Sequence, residues 1–224
     1  MVFFEKMSEG IPHSNTEIEP SLILQVDQFK TSDNTIQEKN ICFKNILSKI
    51  DSWDKKVSNY IHNSELNKFL ENIIYIFARL FNSDIIIIFY ISVFIYQSFF
   101  NKDYFFIIKP FIHVTVIFIL TGVLKYSLKR PRPEINKTVK RIYNLRKKEK
   151  NFSMPSGDSM QAANFGIIAL FYLNMSYIGF VILPFVMFAR IFYFCHYFLD
   201  TLIGAIIGGG ISLGLVFPLR YLKF

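Results

Sequence analysis

From Ser159 to Leu219 the chain is almost wholly apolar or small, and its only formally charged side chains are Arg190 and Asp200. Uncharged stretches near about 20 residues read as membrane spans, and this region is long enough for several. A water-soluble globular fold is therefore excluded. An ionisable group in such a region is costly, so it is normally paired, wetted or functional. Both charges fall in one short segment, Arg190-Ile-Phe-Tyr-Phe-Cys195-His196-Tyr-Phe-Leu-Asp200, together with a histidine. His196 and Asp200 are four apart and share a face if the segment is helical. A carboxylate beside an imidazole fixes its tautomer and supports positive charge on it, as a nucleophile or base requires. An ion pair that merely ties helix ends together explains the same residues without chemistry, and both readings stand at this point.

The rest of the chain fits one all-α, integral membrane domain. Of its 224 residues 52% are hydrophobic and 17% aromatic, with a mean hydropathy of +0.32. Residues 1–40 are polar and mixed in charge, as in a disordered, solvated tail; no apolar core follows a basic start, so a cleaved signal peptide is not expected. Residues 41–64 form an amphipathic helix, with Ile46, Ile50, Trp53, Val57, Tyr60 and Ile61 at three- and four-residue steps and lysines elsewhere on the wheel. It is expected to lie on the membrane surface.

Residues 65–224 form the membrane-embedded domain. Glu65 to Asn82 is apolar but interrupted by charge, and is either half-buried or packed inside the bundle. Spans follow at Ile85–Phe100, Tyr104–Leu124, Met160–Leu173, Tyr177–Phe194 (kinked at Pro184) and Leu199–Leu219, giving a polytopic helix bundle of five to six spans. Gly204, Gly208, Gly209, Gly210 and Gly214 form a small-residue face for close packing. His113 reads as a hydrogen-bonded core residue. Cys42 and Cys195 are too few for a disulfide framework or zinc site and read as small buried apolar residues.

Positive charge concentrates in residues 125–155, where eleven Lys and Arg face only Glu134 and Glu149; this surplus alone accounts for the chain's net charge of +8. Contact with anionic lipid headgroups is one explanation. Nucleic acid is a poor one, because no aromatic platform or groove-reading motif accompanies the run. Phosphate binding is the better reading. Lys125 and Arg132 lie two helical turns apart, and Pro131 and Pro133 then stop the helix. Ser153-Met-Pro155-Ser156-Gly157-Asp158 opens the next span, where a helix start and a glycine favour an anion.

Lys125 with Arg132-Pro133, then Pro155-Ser156-Gly157, then Arg190 with His196 and Asp200, follow one another in order. The pattern resembles the type 2 phosphatidic acid phosphatase superfamily, whose core is shared with vanadium haloperoxidases. The resemblance covers about residues 45–220 in organisation. The Asp51-Ser-Trp53 lead-in and compact core look most similar to the polyisoprenoid (presqualene-type) diphosphate phosphatase branch. The resemblance implies that Lys125, Arg132 and Arg190 clamp phosphoryl oxygens, helped by Ser156 and the Gly157 amide. His196 would attack phosphorus to form a phosphohistidine, with Asp200 orienting the ring. No metal or other cofactor is implied, since the cations supply the charge.

One position departs from the pattern. Where the family usually has a histidine after Pro-Ser-Gly, this chain has Asp158. Asp158 is a working acid/base, a spectator where the leaving group needs little help, or the mark of a weak relative. The expected function is a metal-independent membrane lipid phosphatase acting on a lipid phosphate or isoprenoid diphosphate, with membrane lipids as its other partners. A lipid-phosphate-binding pseudophosphatase and a head-group transferase are the alternatives on the same core. An endomembrane such as the endoplasmic reticulum is expected over the plasma membrane. The three motif loops share one side of the bilayer; the basic loop favours the cytosol, whereas relatives commonly place the site on the lumenal or outer face.

Overall fold

The computed structural model describes residues 20–99, 105–136, 138–172 and 177–221. The tail through residue 19, the span ends expected at Phe100, Tyr104 and Leu173, and Lys137 of the basic loop lie outside the described residues. The described elements are helices: α1 (Pro20–His62), α2 (Lys68–Leu80), α3 (Ser83–Phe99), α4 (Phe105–Leu128), α5 (Gly157–Tyr172), α6 (Ile178–Phe192) and α7 (Phe198–Tyr221), with one 3-10 turn at Arg146–Lys148. The protein is an all-α membrane helix bundle. The chain divides into two compact units, Met1–Ile50 and Asp51–Phe224. In the first, helix begins at Pro20, inside the stretch assigned from sequence to the tail. Residues 41–50 are exposed throughout. Cys42 is therefore exposed, not buried as expected, because no core reaches it; Cys195 is buried.

In the second unit, α4 and α7 are each long and apolar enough to cross a membrane, over Ile108–Leu128 and Phe198–Leu219. Helices α2 and α3 meet that test only as a pair, bent by 69°. Asn67 caps α2, its side chain accepting from the Leu70 N–H at 2.9 Å. Glu71 is buried because it faces the 129–156 loop: its Oε1 accepts from the Ile142 N–H at 2.7 Å. Arg79 spans the bend to Asp84 at 2.7 Å. Within the stretch Glu65–Asn82 the helix itself runs over Lys68–Leu80, with Glu71 and Ala78 buried. Helix α6 has 15 residues, roughly 22 Å at about 1.5 Å per residue, short of a hydrocarbon core of about 30 Å. Helix α6 runs unbroken through Pro184 but stops at Phe192. There the chain reverses: the Phe194 N–H returns to the Ile191 carbonyl at 2.8 Å and the Cys195 N–H to that of Arg190 at 3.0 Å. Phe194 adopts φ 59°, a conformation unfavourable for an aromatic residue. The helix is short because the reversal delivers His196.

Helix α5 is central, with α4, α6 and α7 packed around it. Two glycines of α7 make this possible. A Cβ at Gly204 would stand 2.7 Å from the Ser156 carbonyl oxygen, and one at Gly208 would collide with the Met160 backbone. Gly210 and Gly214 have nothing within 4 Å, so close approach explains only part of the glycine face. Gly166 of α5 against Gly179 of α6 is a second backbone contact, one not apparent from sequence. His113 is a bonded core residue, with Asn164 Oδ1 at 3.2 Å from Nδ1 and the Tyr172 hydroxyl at 3.3 Å from Nε2. Gly208→Ala should lower stability by about 1–3 kcal/mol, the usual range for overpacking, read as reduced thermal unfolding temperature in detergent. Gly210→Ala should be neutral or gain up to about 1 kcal/mol from helix propensity. Equal behaviour of the two variants would contradict this packing.

Candidate functional site

Three chain reversals meet at one end of the bundle: the end of α4, the start of α5, and the turn from α6 into α7. Between them lies a cavity of about 250 Å³. Lys125, Gly157, Asp158, Arg190 and His196 all line it, with Glu149 and Asn151; Phe81, Phe118 and Thr121 contribute the wall toward the bundle. The sequence is thus brought together across positions 125 to 196. Arg132 lines an adjoining cavity that shares Glu149 and Asn151 with the first. Ser156 is not brought to the cavity. It is fully buried at the start of α5, where its hydroxyl accepts from the Ser159 hydroxyl at 3.0 Å and its N–H donates to the Asp200 carbonyl at 3.0 Å.

The cations are deeply placed: Arg190 is 1% exposed and Arg132 7%. Arg190 Nη2 donates to Glu149 Oε1 at 2.5 Å, and Nη1 to the Ala78 carbonyl at 3.2 Å. Its Nε lies 2.7 Å from Asp158 Oδ2, an ion pair outside hydrogen-bond geometry. Arg132 Nη2 donates to the other Glu149 oxygen at 2.9 Å and to Asn151 Oδ1. Lys125 has a weaker hold, with Nζ 3.4 Å from the same Asn151 oxygen. Burial acts to raise the Glu149 pKa, but Arg190 and Arg132 outweigh it and hold the carboxyl below its usual range. Glu149 therefore sits as an anion between the two arginines expected to clamp phosphate.

His196 is buried behind these groups. Arg132 Nη1 lies 3.3 Å from His196 Nε2 and also donates to the Cys195 carbonyl at 2.6 Å. A guanidinium only donates, so Nε2 is the acceptor nitrogen and the ring proton belongs on Nδ1. Burial, then Arg132, Arg190 and Lys125, hold His196 well below the usual imidazole range. That environment favours the neutral ring, whose Nε2 lone pair faces Arg132 Nη1. Nδ1 lies 3.9 Å from Asp200 Oδ2, beyond hydrogen-bond distance. Asp200 is held elsewhere: Oδ1 accepts from Arg130 Nη1 at 2.7 Å, and Oδ2 from the Tyr197 N–H at 2.8 Å and the Ser153 hydroxyl.

Several of these partners were not identified as site residues from sequence. Arg130 and Glu149 were counted only as loop charges. Arg130 joins Asp200 to Asp54 of α1 at 2.6 Å and Asp51 at 2.9 Å. Burial opposes its charge, but Asp200 and Asp54 hold the guanidinium above its usual range. Arg141 donates to the carbonyls of His62 and Ser64, and Arg146 to those of Pro133 and Glu149. Much of the loop's positive charge thus folds the loop itself. Nitrogen-15 NMR of histidine-labelled protein should show His196 as the neutral Nδ1–H tautomer at pH 6, where an ordinary imidazole is mostly protonated. A His196 signal titrating near pH 6.5 would contradict this environment.

The fold has counterparts among known proteins. A family model described as the PAP2 superfamily matches residues 83–221. The fold is similar to the crystal structure of a transmembrane PAP2-type phosphatidylglycerolphosphate phosphatase from Bacillus subtilis, with TM-score 0.64 and 20% identity, covering 78% of this chain and 88% of that one. It is also similar to LpxE of Aquifex aeolicus, with TM-score 0.56 and 23% identity, covering 72% and 93% respectively. At these identities the likeness establishes the fold. No curated protein matches the chain by sequence.

Proposed function

The chain belongs to the PAP2 superfamily, and from that premise we propose that it is a membrane lipid phosphatase that removes the terminal phosphate of a lipid phosphate or isoprenoid diphosphate through a phosphohistidine. The observation that carries this reading is that His196 lines a buried cavity with Lys125 and Arg190 and faces Arg132 Nη1 through Nε2 at 3.3 Å. A phosphoryl group entering there exchanges the Glu149 and Asn151 oxygens on Arg132, Arg190 and Lys125 for its own. Preorganised positive charge of this kind lowers the barrier to phosphoryl transfer without reorganisation. Nε2 attacks phosphorus, the bond to the leaving oxygen breaks with its electron pair going to that oxygen, and positive charge develops on the ring facing Asp200. Water then cleaves the P–N bond and releases phosphate. The same reading puts α1 at the membrane surface, its exposed Trp53 and Tyr60 turned outward.

Asp158 supports the isoprenoid diphosphate as the better substrate. Its carboxylate is engaged by Arg190 at 2.7 Å and is poorly placed to give a proton to a leaving oxygen. An alcohol leaving without a proton departs as an alkoxide, comparable to water with its pKa of about 15.7. A phosphate monoester, with a second pKa of about 6, leaves readily. The protein should therefore release phosphate from an isoprenoid diphosphate at least about tenfold faster than from phosphatidate, a difference of about 1.36 kcal/mol in barrier. Asp158→Asn should leave that preference in place, because no proton donor is lost. Comparable parental rates on the two substrates in a phosphate-release assay would remove the argument. His196→Ala should abolish release from every substrate; a variant retaining half the parental rate would rule out the phosphohistidine.

A further inference from the structure

We propose that Asp54 of α1 is a positioning residue for the His196–Asp200 pair, holding Arg130 against Asp200 from outside the helices that carry the motifs. The inference rests on the phosphohistidine reading of His196. Helix α1 precedes the residues matched by the family model. In an amphipathic helix its polar face would be expected in water. Instead Asp54, Ser58 and His62, at four-residue steps, are 0–2% exposed, while Trp53 and Tyr60 face out. The buried stripe lies on the turn that presents His196.

Its contacts are specific. Asp54 Oδ1 accepts from the Leu199 N–H at 2.8 Å, and the Ser58 hydroxyl accepts from the Phe198 N–H at 2.8 Å. These N–H groups belong to the first turn of α7 and have no partner within that helix. His62 stacks on Phe194 with ring centres 4.5 Å apart. Helix α1 thus caps α7 in trans, beside the turn that carries Asp200. The second Asp54 oxygen takes Arg130 Nη2 at 2.6 Å, while Arg130 Nη1 takes Asp200 at 2.7 Å. Arg130 therefore bridges two fully buried carboxylates, with half-exposed Asp51 as a third partner.

The consequence for the reaction is electrostatic. His196 gains positive charge as Nε2 attacks. It is faced by Lys125 from α4, Arg132 from the loop, Arg190 from α6, Asp200 from α7 and His62 from α1. Asp200 lies on the Nδ1 side at 3.9 Å, and Arg130 partly cancels its field. Asp54 offsets Arg130 and restores that field, a buried effect that solvent screens little. Phosphate binding uses other residues, so the loss of Asp54 should appear in the chemical step.

Asp54→Asn keeps an oxygen for the Leu199 N–H but removes the charge and the oxygen that accepts from Arg130 Nη2. In full-length protein in detergent micelles, with an isoprenoid diphosphate as substrate, kcat should fall about 10- to 100-fold, the range for residues that orient a reacting imidazole. KM should stay within about twofold, and Asp54→Glu should recover part of the rate. Normal kcat in folded Asp54→Asn, or no recovery in folded Asp54→Glu, would overturn the proposal and leave Asp54 as a cap. Arg130→Lys keeps the charge but not the fork; it should show the same fall in kcat at constant KM, and it decides the matter if Asp54→Asn does not fold. Normal kcat in Arg130→Lys also overturns the proposal. His196→Ala, measured alongside, separates the two ideas: an inactive His196→Ala with an unaffected Asp54→Asn removes the positioning role alone, whereas an active His196→Ala removes the reading beneath it.

Discussion

Two carboxylates, Glu149 and Asp158, hold Arg190 in a place where a bare guanidinium could not stand. Arg190 is 1% exposed and surrounded by an apolar bundle. Desolvating a charge that deeply costs several kcal/mol unless it is paired and fully bonded. Arg132 is stabilised by the same Glu149 and by Asn151, and Arg130 by Asp54 and Asp200. The positions of α2, of the loop and of the α6–α7 turn follow from these pairings, because each cation reaches its anion across a different pair of elements.

That pairing also defines what can bind. Under the proposed function an entering phosphate meets arginines already bonded to a carboxylate, so the step is an exchange of anions. A monocarboxylate ligand offers Arg132 and Arg190 little that Glu149 does not. A phosphoryl group brings more oxygens and more negative charge, and it can engage Lys125 as well, whose present partner is a single amide oxygen at 3.4 Å. Under the proposed function, a preference for phosphate over carboxylate would follow from the internal competitor Glu149.

The scarcity of charge made much of this legible in the sequence. In a run where Arg190 and Asp200 are the only charges, each charged residue stands out, and Lys125, Arg190 and His196 do share one cavity. Abundance hid the rest. Glu149 lies in a basic run where one acid looks like a solvated counter-charge, and nothing local shows that it reaches Arg190 forty-one positions on. Asp54 was concealed differently: α1 shows a conspicuous apolar stripe, and the polar stripe beside it is buried only because Arg130 and the start of α7 need acceptors there. Ser156 was assigned to phosphate from its motif, yet the helix start it occupies takes up its hydroxyl. Helix lengths also escaped composition, since α6 ends on account of the Phe194 reversal while its sequence stays apolar.

Asp158 shows how one residue links the clamp to the chemistry. A neutral histidine in that position could donate a hydrogen bond to a leaving oxygen but could not compensate a buried guanidinium. An aspartate does the reverse. Its ion pair with Arg190 holds that side chain aimed into the cavity, at the expense of a readily available proton. The exchange is tolerable only if the leaving group accepts negative charge unaided. Under the proposed function, the residue that pairs with Arg190 also narrows the substrates the site would serve, in favour of a phosphoanhydride over a simple alkyl ester.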